Sequence, residues 1–498
     1  MPSLDPTSPN TFETLNQAPK GNAKNVRILW QKGALIAEQN NDFFMQFEGR
    51  SENSPIWTKT ELSKGNGSTM VFTTQSGFYK EPKLGGELFL GPDDYEEIVQ
   101  DAFELKVDFA RFGCRTDERM EEMMGMRGDL ESGVNKQLGK ALGRFKTEQV
   151  MALYVLRLTA DHPENCFFAG GKTLNTLRSQ DIFRWDEVVN VTQGMMPLGG
   201  LPANIRGHHV GGEPIWSMNY IAPTPALTSL KLDSAYRTVL ANAMERGKSN
   251  TLFKGGFPLL DGNTILPYNP IDHDGIGPMG SFMNPKAYLG NAAIAGGANG
   301  GNTVIDIYGG GNATDHLKAR FFRHFLGSPY KFIDTGAFAN DTASEKYFIV
   351  YNLSGANTNK WCMYAYVAGN DGTKITITKR LASTTSGAAG QQTIGSVTWD
   401  ANLNHGDHPL GSLVIPVNAK GVPYGRVIVM GASGLLRGYG KYRAEHRSDT
   451  ENGGFIQNRY MATVFGQCFK KDRKKRAVGA AMLTCAISYP NVVLPNYT

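Results

Sequence analysis

Three groups of residues in this chain have the types and spacing that chemistry could use. His405, Asp407 and His408 lie together in an HGDH run. Two imidazoles and a carboxylate can ligate a divalent metal, but the run sits among Gly and Pro, and spacing names no further ligand. It reads as a polar loop, with no metal and no other cofactor expected. Carboxylate pairs occur at Asp93-Asp94, Glu96-Glu97 and Glu121-Glu122. Acid–base catalysis would need two of them at a set separation in space; each fits an exposed helix face or first turn instead. The densest cationic run is Phe469–Arg476 (FKKDRKKR). Its Lys470, Lys471, Arg473, Lys474, Lys475 and Arg476 could make salt-sensitive contacts to DNA phosphates, or an ion-pair seam with an acidic neighbour such as residues 93–97. The bland alternative is a solvated loop.

Nucleotide and nucleophile motifs fail on inspection. Gly133–Ala141 (GVNKQLGKA) places five residues before its Gly-Lys and ends in Ala; a phosphate-binding loop needs four, then Ser or Thr. Neither an HExxH helix nor a Gly-x-Ser-x-Gly elbow is present. His208 and His209 are adjacent, so on a strand they face opposite ways. The chain reads as a non-enzyme.

The elements that would carry these residues follow from periodicity. Residues 1–68 are irregular, with a candidate helix inside Asn25–Phe47, and read as an arm that orders on a neighbouring subunit. Thr69–Thr74 and Glu104–Phe112 alternate apolar and polar residues, so they read as a half-exposed strand pair, with Leu105, Val107 and Phe109 on one face. The Gly-rich turn Lys83–Pro92 falls between them. Residues 116–160 carry the strongest helical pattern. Thr116 is the candidate N-cap, and Leu130, Val134, Leu138, Leu142 and Phe145 recur at helical spacing to form the packed face. Glycines at 125, 128, 133, 139 and 143 weaken that helix but let another backbone approach it closely. Residues 161–340 read as helices and loops. A short amphipathic helix runs through Ile182, Trp185, Val188, Val189 and Thr192. Another is capped by Asp233 or Ser234, with Val239, Leu240 and Ala243 on its buried face. Residues 341–435 are β-rich, with strands at Tyr347–Leu353, Trp361–Val367, Lys374–Thr378, Ser412–Val417 and Gly425–Met430. The apolar segment Ala477–Ser488 reads as a last strand returning to the core.

Composition bounds the class. With 498 residues, 41% hydrophobic and 19% charged, the chain can bury a large core in more than one domain. The net charge of +5 permits contact with nucleic acid without the concentrated basic face of a sequence reader. Five scattered cysteines without a CxxC pair point to reduced thiols rather than a disulfide framework. The polar N-terminal stretch lacks the apolar core of a signal peptide, and no run reaches membrane-spanning length, so no membrane partner is expected.

The order of parts and a set of short motifs resemble one family. Gly85-Gly86-Glu87-Leu88, Tyr95-Glu96-Glu97, Leu105–Asp108 and Met126–Leu130 follow one another, and Leu230–Asp233, Gly247–Asn250, Phe253–Gly256 and Asp261-Gly262 form a second set. Together they resemble the N4-like major capsid proteins of tailed bacteriophages, which have the HK97-like fold. The resemblance implies an α+β chain divided into an N-terminal arm (1–68), an extended loop (69–112), a spine helix with a peripheral domain (113–229), an axial domain (230–340), a β-rich insertion (341–435) and a return to the core (436–498). It implies hexamers and pentamers of identical copies in an icosahedral virion shell, made in the bacterial host cytoplasm around double-stranded DNA held without sequence specificity. Portal, scaffolding and decoration proteins would be the other partners. Lys83, Asp93, Asp94, Glu96, Glu97 and Arg111 are the implied subunit-contact residues. Two other readings stay open: an encapsulin-like bacterial compartment, and a hydrolase built on the β-rich stretch.

Overall fold

The computed structural model describes residues 34–60, 69–75, 100–117, 129–210, 213–238, 259–260, 262–268, 287–288, 303–306, 346–351, 361–369, 374–383, 391–394, 397–400, 413–440, 445–451, 456–472 and 475–488. Within them the chain has a mixed α+β architecture: one long helix crosses two sheets, the central sheet and an arm sheet, and a third sheet flanks the central one.

The central sheet has seven strands, in the order Cys166–Phe168, Ala480–Ala486, Tyr424–Met430, Glu213–Pro223, Asn263–Tyr268 and Leu259–Leu260, with Ala203–Val210 added beside Glu213–Pro223. Its middle strands, AAMLTCA and YGRVIVM, are apolar but for Thr484 and Arg426 and are buried along their whole length. Such runs belong to strands covered on both faces. Val427, Val429 and Leu483 pack on one side with Val188, Val191 and Met195 of the helix Trp185–Met195. Ile428, Met430 and Met482 pack on the other with Val150, Met151, Tyr154 and Leu158 of the long helix.

The long helix runs as an α-helix over Asp129–Ala152, a π-helical segment over Leu153–Leu158 and a last α-turn over Thr159–Asp161. At about 1.5 Å per residue it is about 50 Å long. Its first half presents Leu138, Leu142 and Phe145 to Tyr439, Met461 and Phe465. These three belong to a second, six-stranded sheet, here called the arm sheet: Glu48–Gly49, Ile56–Lys59, Leu435–Tyr439, Ile456–Phe469 and Glu445–Glu451, with Asp108–Asp117 along the other edge of Ile456–Phe469. The π-helical turns, being wider, re-phase the helix where it passes from one core to the other.

The third sheet joins Ala287–Tyr288, Leu413–Val417, Lys346–Tyr351, Trp361–Gly369, Lys374–Ser383 and Thr303–Asp306. Ile349, Tyr351, Trp361, Met363 and Ile415 share the core of the helix Trp185–Met195. The expected β-rich stretch of 341–435 is therefore split: four of its strands lie here with two from before 341, Gln391–Ile394 and Val397–Asp400 form a separate hairpin, and Tyr424–Met430 lies in the central sheet.

Four local expectations are corrected. Thr116 is not a helix cap; it ends a strand that pairs residue by residue with Ile456–Phe469. A local Thr-Asp-Glu signature cannot outweigh a ten-residue ladder. Phe109 does not share a face with Leu105 and Val107. Those two are buried, whereas Phe109 is 56% exposed. Val107 lies between two strands, and after it the inward set becomes Ala110, Phe112 and Cys114, the flip a one-residue change of phase produces. Ile182 lies before its helix and bridges Ala486. Finally, residues 203–223 form an antiparallel strand pair where helices and loops were expected. The cap at Asp233 is present, its carboxylate accepting from the Ala235 N–H at 3.3 Å; Val239, Leu240 and Ala243 lie outside the described residues.

Candidate assembly surface

The extended hairpin pairs Thr69–Gln75 with Gln100–Lys106 in unbroken antiparallel register. Its inward face (Met70, Phe72, Leu105) and Val107 are buried with Trp57 and Leu436. Trp57 and Phe72 meet edge to face at 5.1 Å, and Lys59 Nζ sits 5.0 Å from the Phe72 ring while donating to the Val71 carbonyl at 2.8 Å. Gly438 lets the hairpin come this close, since a Cβ there would lie 2.5 Å from Met70 Sδ. Residues 76–99 connect the two strands, and Lys83, Asp93, Asp94, Glu96 and Glu97 belong to that connection, outside the described residues.

Within the expected arm, residues 34–48 pack against the long helix and arm sheet of the same chain. A helix at 34–41 crosses the long helix at two glycines four residues apart. A Cβ on Gly139 would stand 2.2 Å from the Ala34 carbonyl oxygen, and one on Gly143 2.4 Å from that of Glu38. The sequence anticipated this close approach. It did not reveal the charges beneath. Lys146 and Glu38 form a fully buried ion pair at 2.7 Å. Arg437, also fully buried, donates to Asp42 at 3.1 Å, to Glu48, and to the Tyr439 hydroxyl at 3.3 Å. Burial alone would lower the Arg437 pKa; Tyr439, Asp42 and Glu48 reverse this and raise it. Such a cluster is costly to assemble and costlier to break, because removing one member strands the rest without water. Residues 1–33 lie outside the described residues.

Of the expected packed face, Leu138, Leu142 and Phe145 are buried and Val134 is half-buried. Leu130 lies in the helix, its side chain outside the described set.

The basic run folds into a tight turn. Asp472 accepts from the backbone N–H and the Nε of Arg476, both at 2.8 Å, and Lys475 takes a left-handed φ of 61°. Lys470 pairs with Glu52. Two of the six cations are thus engaged within the chain, while Lys475 is exposed and Lys471 half-buried; Arg473 and Lys474 lie outside the described residues. Lys471 also acts on His162, which caps the end of the long helix and lies edge-on to Phe469. Burial first, then the Lys471 charge, lowers the His162 pKa, with Glu164 and Asp161 opposing.

Sequence reasoning missed the open face of the strand Asp108–Asp117. One side of that strand packs on the long helix, where Phe112 meets Phe145 at 5.4 Å. The other presents Phe109, Arg111, Gly113 and Arg115, all exposed. Arg111 lies 5.4 Å from the ring of the adjacent Tyr460. The signal was available in the alternation FARFGCR, but the phase change at Val107 hid which side faced out. Only Arg111 had been singled out.

Chemistry of other kinds finds little footing. Burial raises the Cys166 thiol to about 11 and those of Cys468 and Cys485 to about 12, so none is a ready nucleophile. Among the described residues no three metal-ligating side chains converge; His405, Asp407 and His408 lie outside them. No described helix is long and apolar enough to cross a membrane.

No protein-family model and no curated protein matches this chain. Its structure is similar to "Capsid of Ralstonia phage GP4", at 13% identity over 91% of this chain and 92% of that chain, with a TM-score of 0.49. It is similar to "Cyanophage Pam1 capsid asymmetric unit" at 12% identity over 89% and 92%, TM-score 0.44. It is similar to "The head structure of Helicobacter pylori bacteriophage KHP40" at 9% identity over 90% and 91%, TM-score 0.46. At these scores the superpositions are loose, and the functional reading below is built on this chain's own elements.

Proposed function

We propose that this chain is a structural subunit of a closed protein shell. More particularly, it is the major capsid protein of a tailed bacteriophage with an HK97-like fold, of the N4-like kind. One observation carries the reading: a single helix about 50 Å long ties two sheets together, and the hairpin Thr69–Gln75 with Gln100–Lys106 is rooted on the sheet beside its N-terminal half. A shell subunit can use such a hairpin to reach a neighbour. The sequence order of arm, hairpin, long helix, mixed core and return strand supports the same reading. Copies would associate as hexamers and pentamers around double-stranded DNA, with portal, scaffolding and decoration proteins completing the particle. The role is structural rather than catalytic.

Negative-stain electron microscopy and sedimentation of the purified chain test this. Closed shells, tubes or ring-shaped capsomers are expected. A stable monomer, with and without a scaffolding protein supplied, would overturn the proposal. Shells that package protein instead of DNA in the producing cell would point to the compartment reading.

A further inference from the structure

The buried contact between the helix at 34–41 and the long helix holds groups that can react with each other. Lys146 Nζ and Glu38 Oε1 stand 2.7 Å apart, and neither side chain has any exposed surface. The ammonium lies 4.8 Å from the Tyr439 ring and 5.8 Å from the Phe465 ring. A second carboxylate adjoins them. Asp42 follows Glu38 by one turn, its N–H donating to the Glu38 carbonyl at 3.0 Å, and it is itself buried. Its Oδ1 accepts from the hydroxyl of Thr147, the residue after Lys146, at 3.4 Å. The pairs Lys172–Asp181 and Lys470–Glu52 contrast with this one, since each is partly open to solvent.

We propose that Lys146 and Glu38 become joined by an isopeptide bond within the chain, with Asp42 carrying the proton. The proposal goes beyond the shell reading and does not depend on it. In water an ammonium is no nucleophile and a carboxylate is no electrophile. In a site closed to water ions are poorly solvated, so a proton passes from ammonium to carboxylate at low cost and leaves a free amine facing a carboxylic acid. The Lys146 nitrogen attacks Cδ of Glu38. The tetrahedral intermediate gives one N–H proton to the Asp42 carboxylate, which returns it to the departing hydroxyl. A C–N bond forms, a C–O bond breaks and one water leaves. Ammonium plus carboxylate become amide plus water, and nothing is oxidised or reduced.

Two features of the fold supply what such a step needs. The first is position. The helix at 34–41 is pressed onto the long helix at Gly139 and Gly143, where an added Cβ would strike the carbonyl oxygens of Ala34 and Glu38. Amine and carboxyl are therefore held together on two rigid elements instead of meeting by chance. The second is dryness. With both side chains fully buried, water that would hydrolyse the product has no ready access. The bond would join positions 108 apart in the chain and fasten the entry segment to the long helix covalently.

The test is the intact mass of the purified full-length chain, incubated folded and then unfolded in denaturant. A chain lighter than the sum of its residues by one water, about 18 Da, is expected. Trypsin should release Gly33–Arg50 joined to Phe145–Arg157, with fragmentation placing the bond between Glu38 and Lys146. Lys146→Arg keeps the cation but cannot form this amide, so its mass should be full. Asp42→Asn should link at least about a hundredfold more slowly. Circular dichroism confirms the fold of both variants. Full mass in wild type, with no branched peptide, overturns the proposal. A loss of one water that persists in Lys146→Arg overturns it too, because the water then leaves from another part of the chain. Linking of Asp42→Asn at the wild-type rate would overturn the role given to Asp42.

Discussion

The two halves of the long helix rest on cores of different chemistry. The C-terminal half meets the central sheet through Val150, Met151, Leu153, Tyr154 and Leu158, side chains that ask only for volume. The N-terminal part meets the arm sheet through Leu138, Leu142 and Phe145, but also holds Lys146 and Thr147 in burial beside Glu38 and Asp42, with Arg437 on Asp42. Apolar packing tolerates sliding and volume-conserving exchange. A buried ion pair accepts one partner geometry. The central half thus supplies bulk stability, and the arm half fixes one position of the chain's entry segment against the helix.

Five substitutions would break or sharpen this contrast, and the largest effect is expected in the central half. Ile428→Asp places a carboxylate between fully buried neighbours and should yield insoluble chain, a loss above about 4 kcal/mol; soluble, cooperative melting material would show that the sheet is not covered there. Next, Arg437→Met leaves Asp42 and Glu48 buried without their cation. The expected cost is about 3–5 kcal/mol, concentrated in residues 34–48, so limited proteolysis should cut there well before the central sheet opens. Adding Asp42→Asn and Glu48→Gln to the same chain should recover most of it. A uniform loss of protection across both sheets would erase the distinction between the halves.

Gly143→Ala is a smaller perturbation. Its methyl group would collide with the Glu38 carbonyl, and about 1–3 kcal/mol is expected from the displaced arm helix, read as a shift in urea midpoint. Gly133→Ala, where nothing lies within 4 Å, should stabilise slightly. The smallest effect is on pH dependence. The folded His162 pKa is lowered below its ordinary value, so the neutral ring contributes stability above the unfolded pKa. That contribution is lost as pH falls through the folded pKa. His162→Gln should therefore flatten the acidic side of the melting-temperature profile, and an unchanged profile would remove His162 from the account.

Some of this was legible in the residues themselves. Leu138, Leu142 and Phe145 were placed correctly because a helix repeats every 3.6 residues whatever it packs against. The hairpin's paired segments and the return strand Ala477–Ser488 were visible for the same reason, since alternation or continuous apolarity records how many faces are covered. The warning that glycines on the helix admit a close neighbour was met at Gly139 and Gly143. Of the expected contact residues, only Arg111 could be placed, on the face where Phe109 and Arg115 join it.

What the sequence determined by itself is the list of elements and their order, because periodicity and turn chemistry act over a few residues. Only the tertiary structure decided which elements share a sheet. It joined Asp108–Asp117 to Ile456–Phe469 across more than 300 positions, turned Thr116 from a helix cap into a strand end, and brought Arg437 to Asp42 and Glu48. Pairings of that range are set by which buried faces and charges find partners in space, and no local pattern carries that information.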